Sequence, residues 1–206
     1  MQPTLVFITD VDVFGVKLTL EAVERLSSTA APGTVAVQVR DRQLPVRSRL
    51  TLCRELREIT RRFGQYLVVN QSLDLAVLAQ ADGLHLGEGA VPLAELSLQT
   101  AQFPCLAWIS RAWHPSASLP ELGAQAYLVS PVVAARKGTV ALGLQALSAA
   151  AARVPGAAVY ALGGVDSNSA AACVAAGAAG VAVIGAGYRE PSELLSSLGI
   201  VRRRSD

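Results

Sequence analysis

Cysteine is scarce in this chain. Cys53, Cys105 and Cys173 are spread over 206 residues, odd in number and never in a C-x-x-C pair. That excludes a disulfide framework and a zinc site of ordinary spacing, and points to a reducing cytoplasm. Histidine is scarcer still: only His85 and His114 occur, with no metal-ligand spacing. Lysine occurs only at positions 17 and 137, so 16 of the 18 basic residues are Arg. Against 16 acidic residues the net charge is +2. Such a balance argues against a nucleic-acid surface but is compatible with a local cationic pocket. No apolar stretch reaches ~18–20 residues, so no membrane span is expected. No charged segment precedes an apolar run at the start, so no signal peptide is expected. Aromatics make up only 5%, yet 51% of the residues are hydrophobic and 17% charged. That composition supports a sizeable core in one domain over 1–206, with a short basic tail at 202–206.

What is present is a repeated alternation. Eight short apolar runs end in polar or Gly residues: Leu5–Thr9, Val35–Arg40, Tyr66–Asn70, Gly83–Leu86, Cys105–Ser110, Ala126–Ser130, Ala158–Leu162 and Gly180–Ile184. Near-continuous apolar runs fit strands buried on both faces, as in parallel sheets. Helical periodicity fills several intervals: Leu18, Ala22, Leu26; then Leu52, Leu56, Ile59, Phe63; then Leu75, Leu78, Ala79; and Ala170 to Ala176 with Asn168 as a cap. Eight strand–helix units in one domain predict an α/β fold, a (β/α)8 TIM barrel with tight loops. A doubly wound open sheet is the alternative.

In such a barrel, chemistry gathers where the strands end. Those ends carry Thr9-Asp10, Arg40-Asp41-Arg42, Asn70-Gln71, His85 with Glu88, Ser110-Arg111 with His114, Ser130 with Lys137, Gly163-Gly164, and Gly185-Ala186-Gly187. Both histidines fall in this set, which random scatter would rarely achieve. Glycine turns after strands seven and eight suit a phosphate, since backbone amides approach closely there; otherwise they only make tight turns. Arg40 and Arg42 share a parity and suit a carboxylate or phosphate, or else form a solvated pair that salt-bridges to Asp41. Gln38, deeper on the same parity, needs a buried partner, and a ligand is one candidate. A mouth histidine beside cations is neutral near pH 7 and able to act as general base, which suits His114; a structural role is its alternative. His85, between Leu84 and Leu86, reads more as a packed histidine. Lys137 suits an anion contact rather than a Schiff base.

These motifs resemble the thiamine phosphate synthase/TenI superfamily over nearly the whole chain. The matches are Leu5-Val6-Phe7-Ile8-Thr9-Asp10 to its "ITD" strand, Gln38-Val39-Arg40-Asp41-Arg42 to "QxREK", and Asn70-Gln71-Ser72 with Asp74-Leu75-Ala76 to "NDRxDLA". Further on, Ala81-Asp82-Gly83-Leu84-His85-Leu86-Gly87 is similar to "ADGVHLG", Ser130-Pro131-Val132 to "GPV", Leu142-Gly143-Leu144 to "GLEGL", and Ala161-Leu162-Gly163-Gly164-Val165 to "AIGGI". The resemblance implies a barrel that binds a thiazole phosphate as a homodimer, while cysteine usage, charge balance and apolar-run length predict a cytoplasmic protein with no nucleic-acid or membrane partner. It implies substrate contacts at Gln38, Arg40, Arg42, Asn70, His85, Arg111, Ser130 and Lys137, and phosphate contacts at Gly143, Gly163, Gly164, Gly185 and Ala186.

The departures bear on the branch. The synthase joins a hydroxymethylpyrimidine pyrophosphate to the thiazole phosphate with Mg2+. Its two metal-ligand Asp positions hold Gln71 and Ala90 here, and its Thr-rich loop is Val133-Ala134-Ala135-Arg136-Lys137. TenI, a thiazole tautomerase, needs no metal and carries "GRSVH" after strand five, where this chain has Ser110-Arg111-Ala112-Trp113-His114. The resemblance therefore implies a tautomerase, an isomerase that uses His114 for proton transfer and no cofactor. The alternatives are a thiamine phosphate synthase with Mg2+, or a non-catalytic thiazole-phosphate-binding relative.

Overall fold

The structure, a computed structural model, describes residues 1–100, 102–115, 120–135 and 138–203, with 97–100 by backbone alone. Lys137 and the last three residues of the basic tail lie outside the described residues. The strands are β1 (Leu5–Ile8), β2 (Val35–Val39), β3 (Tyr66–Asn70), β4 (Gly83–Leu86), β5 (Trp108–Trp113), β6 (Ala126–Val129), β7 (Ala158–Leu162) and β8 (Gly180–Val183). The helices are α1 (Val11–Thr29), α2 (Val46–Arg62), α3 (Leu73–Leu78), α4 (Leu93–Thr100), α5 (Gln145–Arg153), α6 (Ala170–Ala175), α7 (Gly185–Arg189) and α8 (Pro191–Ser197). Each strand pairs in parallel with its sequence neighbours, and β1 pairs with β8 through Leu5↔Val181, Val6↔Ala182 and Phe7↔Val183. That last ladder closes the barrel and sets aside the open-sheet alternative.

Strand alternation sorts side chains to two faces. Val6, Ile8, Ala36, Val68, Trp108 and Tyr160 are among those that fill the barrel interior, with Trp108 and Tyr160 edge-to-face at 6.1 Å. The other parity, including Phe7, Val37, Val69, Leu84 and Tyr127, packs outward under the helices. Both faces are apolar, which is why the strands read as continuous apolar runs.

Three expectations need correction. The fifth strand is Trp108–Trp113, not Cys105–Ser110. Its polar residues are in register on both sides, with Ser110 opposite His85 and Arg111 opposite Leu86, and Cys105 is exposed. Leu18 is exposed because α1 breaks at Gly15 (φ 75, ψ 161). The buried face is instead Thr19, Ala22, Val23 and Leu26, spaced i, i+3, i+4, i+7. Asn168 does not cap α6. Ser169 holds that position, and its amide and hydroxyl both donate to Asp166 Oδ1, at 3.0 and 2.6 Å.

Candidate active site

The interior turns polar just below the mouth. Gln38 on β2, Asn70 on β3, His85 on β4 and Ser110 on β5 are all buried and occupy the inward parity. Asn70 Nδ2 donates to Gln38 Oε1 at 3.4 Å, and His85 Nδ1 meets Ser110 Oγ at 2.9 Å. Two polar atoms of this floor, Gln38 Nε2 and Asn70 Oδ1, have no partner among the described residues. Orphaned donors and acceptors in a core cost free energy unless a ligand or water meets them. Burial, and then the like charge of Arg40 and Arg42, push the His85 pKa down from 6.5 to about 3. The imidazole is therefore neutral near pH 7. His85 is packed, as its apolar neighbours suggested, but it is packed into the floor of the mouth.

Arg40 and Arg42 do not continue the strand. β2 stops at Val39, and the Arg42 amide donates to Arg40 O at 2.7 Å in a tight turn. Asp41 turns the other way, buried, accepting from the Thr9 hydroxyl and, at 2.6 Å, from the Val11 amide. It thus ties the β2 end to the start of α1 and does not salt-bridge to its neighbours. Arg40 Nη2 lies 3.7 Å from Asp10 Oδ2, and Arg42 Nη1 donates to Gln71 Oε1 at 2.6 Å. A guanidinium held by a neutral amide keeps its charge uncompensated, which suits an anion.

His114 follows β5 directly. Its amide donates to Glu88 Oε1 at 2.6 Å, and its Nδ1 meets Glu88 Oε2 at 3.0 Å. Arg111 needs correction as a substrate contact. It sits on the outward parity, 6% exposed, with Nη1 2.6 Å from Glu121 Oε2. Its other donors reach the carbonyls of Glu88, Ala90 and Val91. Three positions from His114, a strand residue points to the opposite face, so Arg111 clamps the β4–α4 loop from behind.

Gly163, Gly164, Gly185 and Ala186 line one cavity of about 560 Å³, with Phe14 among the residues that wall it. Gly164 has φ 78, and a Cβ there would lie 2.6 Å from the Ala134 amide nitrogen. Gly163 O accepts from Val133 and Ala134 at 2.9 and 3.1 Å. The glycines therefore serve loop packing as well as the cavity. The amides of Gly164 and Val165 have no acceptor among the described residues. Gly143 is corrected as a phosphate contact: its amide donates to Val132 O at 3.0 Å, and it is not among the residues lining the cavity. Ser130 ends β6, half-buried, with its amide on Trp113 O at 3.1 Å. The cavity also contains Arg189, which sequence reasoning missed. Its spacing of four from Gly185, in a helix, was the available signal.

This barrel, with its polar floor and glycine cavity, matches a family model described as "Thiamine monophosphate synthase" over residues 5–186. The chain belongs to the thiamine monophosphate synthase family. It is 35% identical over 169 residues to "Thiamine-phosphate synthase" of Moorella thermoacetica, covering 79% of each chain. It is 33% identical over 193 residues to "Putative thiamine-phosphate synthase" of Geobacter sulfurreducens, covering 91% of this chain and 88% of the relative. A thiamine phosphate pyrophosphorylase from Pyrococcus furiosus shares the fold, with a TM-score of 0.77, 24% identity and 96% of both chains covered.

Mg2+ is held by hard carboxylate oxygens in near-octahedral geometry. The two positions that resemble the metal-ligand sites hold an amide, Gln71, and a methyl, Ala90. The nearby Glu88 carboxylate is engaged by His114 through both oxygens. Among the described residues no group of three His, Cys, Asp or Glu converges. The residues present do not fit a Mg2+ site at those positions.

Proposed function

We propose that this enzyme is a thiamine-phosphate synthase-type transferase that joins an aminopyrimidine, activated as its methylene pyrophosphate, to a thiazole phosphate. The thiazole nitrogen attacks the methylene carbon, a C–N bond forms, and the C–O bond to pyrophosphate breaks with the electron pair leaving on pyrophosphate. The single observation that carries this reading is the orphaned edge of Gln38 Nε2 and Asn70 Oδ1. An aminopyrimidine offers a ring nitrogen acceptor beside an amino donor, which is the complementary pair. A thiazole carboxylate can accept from Gln38 Nε2 but has no donor for Asn70 Oδ1. The charge of Arg40 and Arg42 suits a leaving pyrophosphate, and the glycine cavity suits the thiazole phosphate. The names of the relatives support the same activity.

The test is direct assay of thiamine phosphate formation from both substrates, beside a tautomerase assay. Gln38→Met should abolish condensation while thiazole phosphate binding survives. A wild type that never condenses the two substrates overturns the reading. The Glu88–His114 contact favours thiazole tautomerisation as the second reading. A carboxylate on Nδ1 orients the imidazole for a proton shift. Turnover of the thiazole carboxylate tautomer alone would select it.

A further inference from the structure

Arg189 has no role in the site inferred from the sequence, yet it lines the glycine cavity from an exposed position. The charged residues lining that cavity are Asp10, Asp166, Glu190 and Arg189. All three carboxylates are engaged. Asp10 faces Arg40, Asp166 accepts from Ser169, and Glu190 accepts the Ser167 amide and hydroxyl at 3.3 and 2.8 Å. The Arg189 guanidinium meets neither a carboxylate nor a hydrogen-bond acceptor among the described residues. It nevertheless folds back over the loop. A Cβ placed on Gly185 would lie 3.0 Å from both Nη1 and Nη2. Gly185 needs no special φ, so its missing side chain matters here as space for the guanidinium.

We infer that Arg189 is a phosphate ligand that selects the phosphorylated thiazole over its free alcohol. This rests on the proposed phosphate reading of the cavity and adds a side-chain cation to it. Backbone amides alone recognise any small anion. A planar guanidinium beside them favours the dianionic, multi-oxygen face of a phosphomonoester, and offsets the three carboxylates around the cavity. The helical spacing from 185 to 189 lets one residue hold the turn open and the other supply the charge.

The experiment compares wild type, Arg189→Gln and Arg189→Lys for binding of thiazole phosphate and of the unphosphorylated thiazole alcohol, with inorganic phosphate as competitor. Arg189→Gln should weaken thiazole phosphate about tenfold or more, as expected for loss of a charge-assisted hydrogen bond. Alcohol binding and melting temperature should not change. Arg189→Lys should fall between. In turnover the loss should appear in KM for the phosphate and not in kcat. Gly185→Ala should fold and reproduce part of the loss, since only the tip of a flexible side chain must move. Unchanged phosphate affinity in Arg189→Gln, or equal loss for phosphate and alcohol, overturns the inference. A wild type that does not prefer phosphate to alcohol overturns the phosphate reading beneath it.

Discussion

Glu88 grips His114 twice, through the backbone amide at 2.6 Å and through Nδ1 at 3.0 Å. The two residues come from the ends of adjacent strands, 26 positions apart in sequence. A carboxylate on Nδ1 places the proton there and makes Nε2 the basic nitrogen.

His114→Asn should therefore lower thiazole tautomerisation by about 10²- to 10⁴-fold, the usual contribution of a general acid–base group. Condensation should change only a few-fold, because forming the C–N bond moves no proton at the thiazole nitrogen. Glu88→Gln should give a smaller loss in the same assay. Equal losses in both reactions would show that the histidine holds the loop and does not transfer the proton.

His85 makes folding sensitive to acid. Its folded pKa is lowered to about 3 from 6.5, first by burial and then by Arg40 and Arg42. Between those values the unfolded chain binds a proton that the folded chain refuses. Its contribution to stability is thus intact above pH 6.5 and is lost as pH falls towards 3, at up to about 1.4 kcal/mol per pH unit. Urea midpoints measured at pH 8, 6 and 5 should show the decline, and His85→Asn should flatten it. A His85→Asn slope identical to wild type would assign the acid sensitivity to other groups.

Arg111→Ala should cost stability rather than substrate affinity. It removes the partner of Glu121 and uncovers three carbonyls of the β4–α4 loop. A loss of about 2–4 kcal/mol is expected for a mostly buried charged clamp. Chemical denaturation checks it. An undiminished midpoint with weakened substrate binding would return Arg111 to the site.

Chelation should leave turnover intact, because Gln71 and Ala90 supply no carboxylate. Restoring both carboxylates, as Gln71→Asp with Ala90→Asp, should create Mn2+ binding that calorimetry or magnetic resonance detects. Collapse of wild-type turnover in chelator, with recovery on added Mg2+, would contradict this outcome.

Much of the barrel was legible because parallel strands buried on both faces are apolar at every position. Tyr66–Asn70, Gly83–Leu86 and Ala158–Leu162 stand with their expected bounds. The fifth strand was misplaced for the converse reason. Ser110 and Arg111 break its apolar run; backbone pairing to β4 and β6 makes them strand residues, and His85 on one face and Glu121 on the other meet their side chains. Arg111 and His114 looked like one motif in the sequence. Three positions apart in an extended segment, they face opposite sides of the sheet.

Sequence alone determined the eight-fold alternation and which strand ends carry polar and glycine residues, while the β1–β8 ladder decided closure into a barrel. The alternation and the strand ends follow from local periodicity and from residue types that only certain backbone positions accept. Tertiary structure decided what each of those residues does. It turned Asp41 away from Arg40 and Arg42 to hold α1, spent the Gly143 amide on Val132, left Gln38 and Asn70 with an open edge, and folded Arg189 over Gly185. Each of those outcomes depends on which groups meet across the barrel mouth. Hydrogen bonds are satisfied in three dimensions, between residues that the one-dimensional pattern places tens of positions apart.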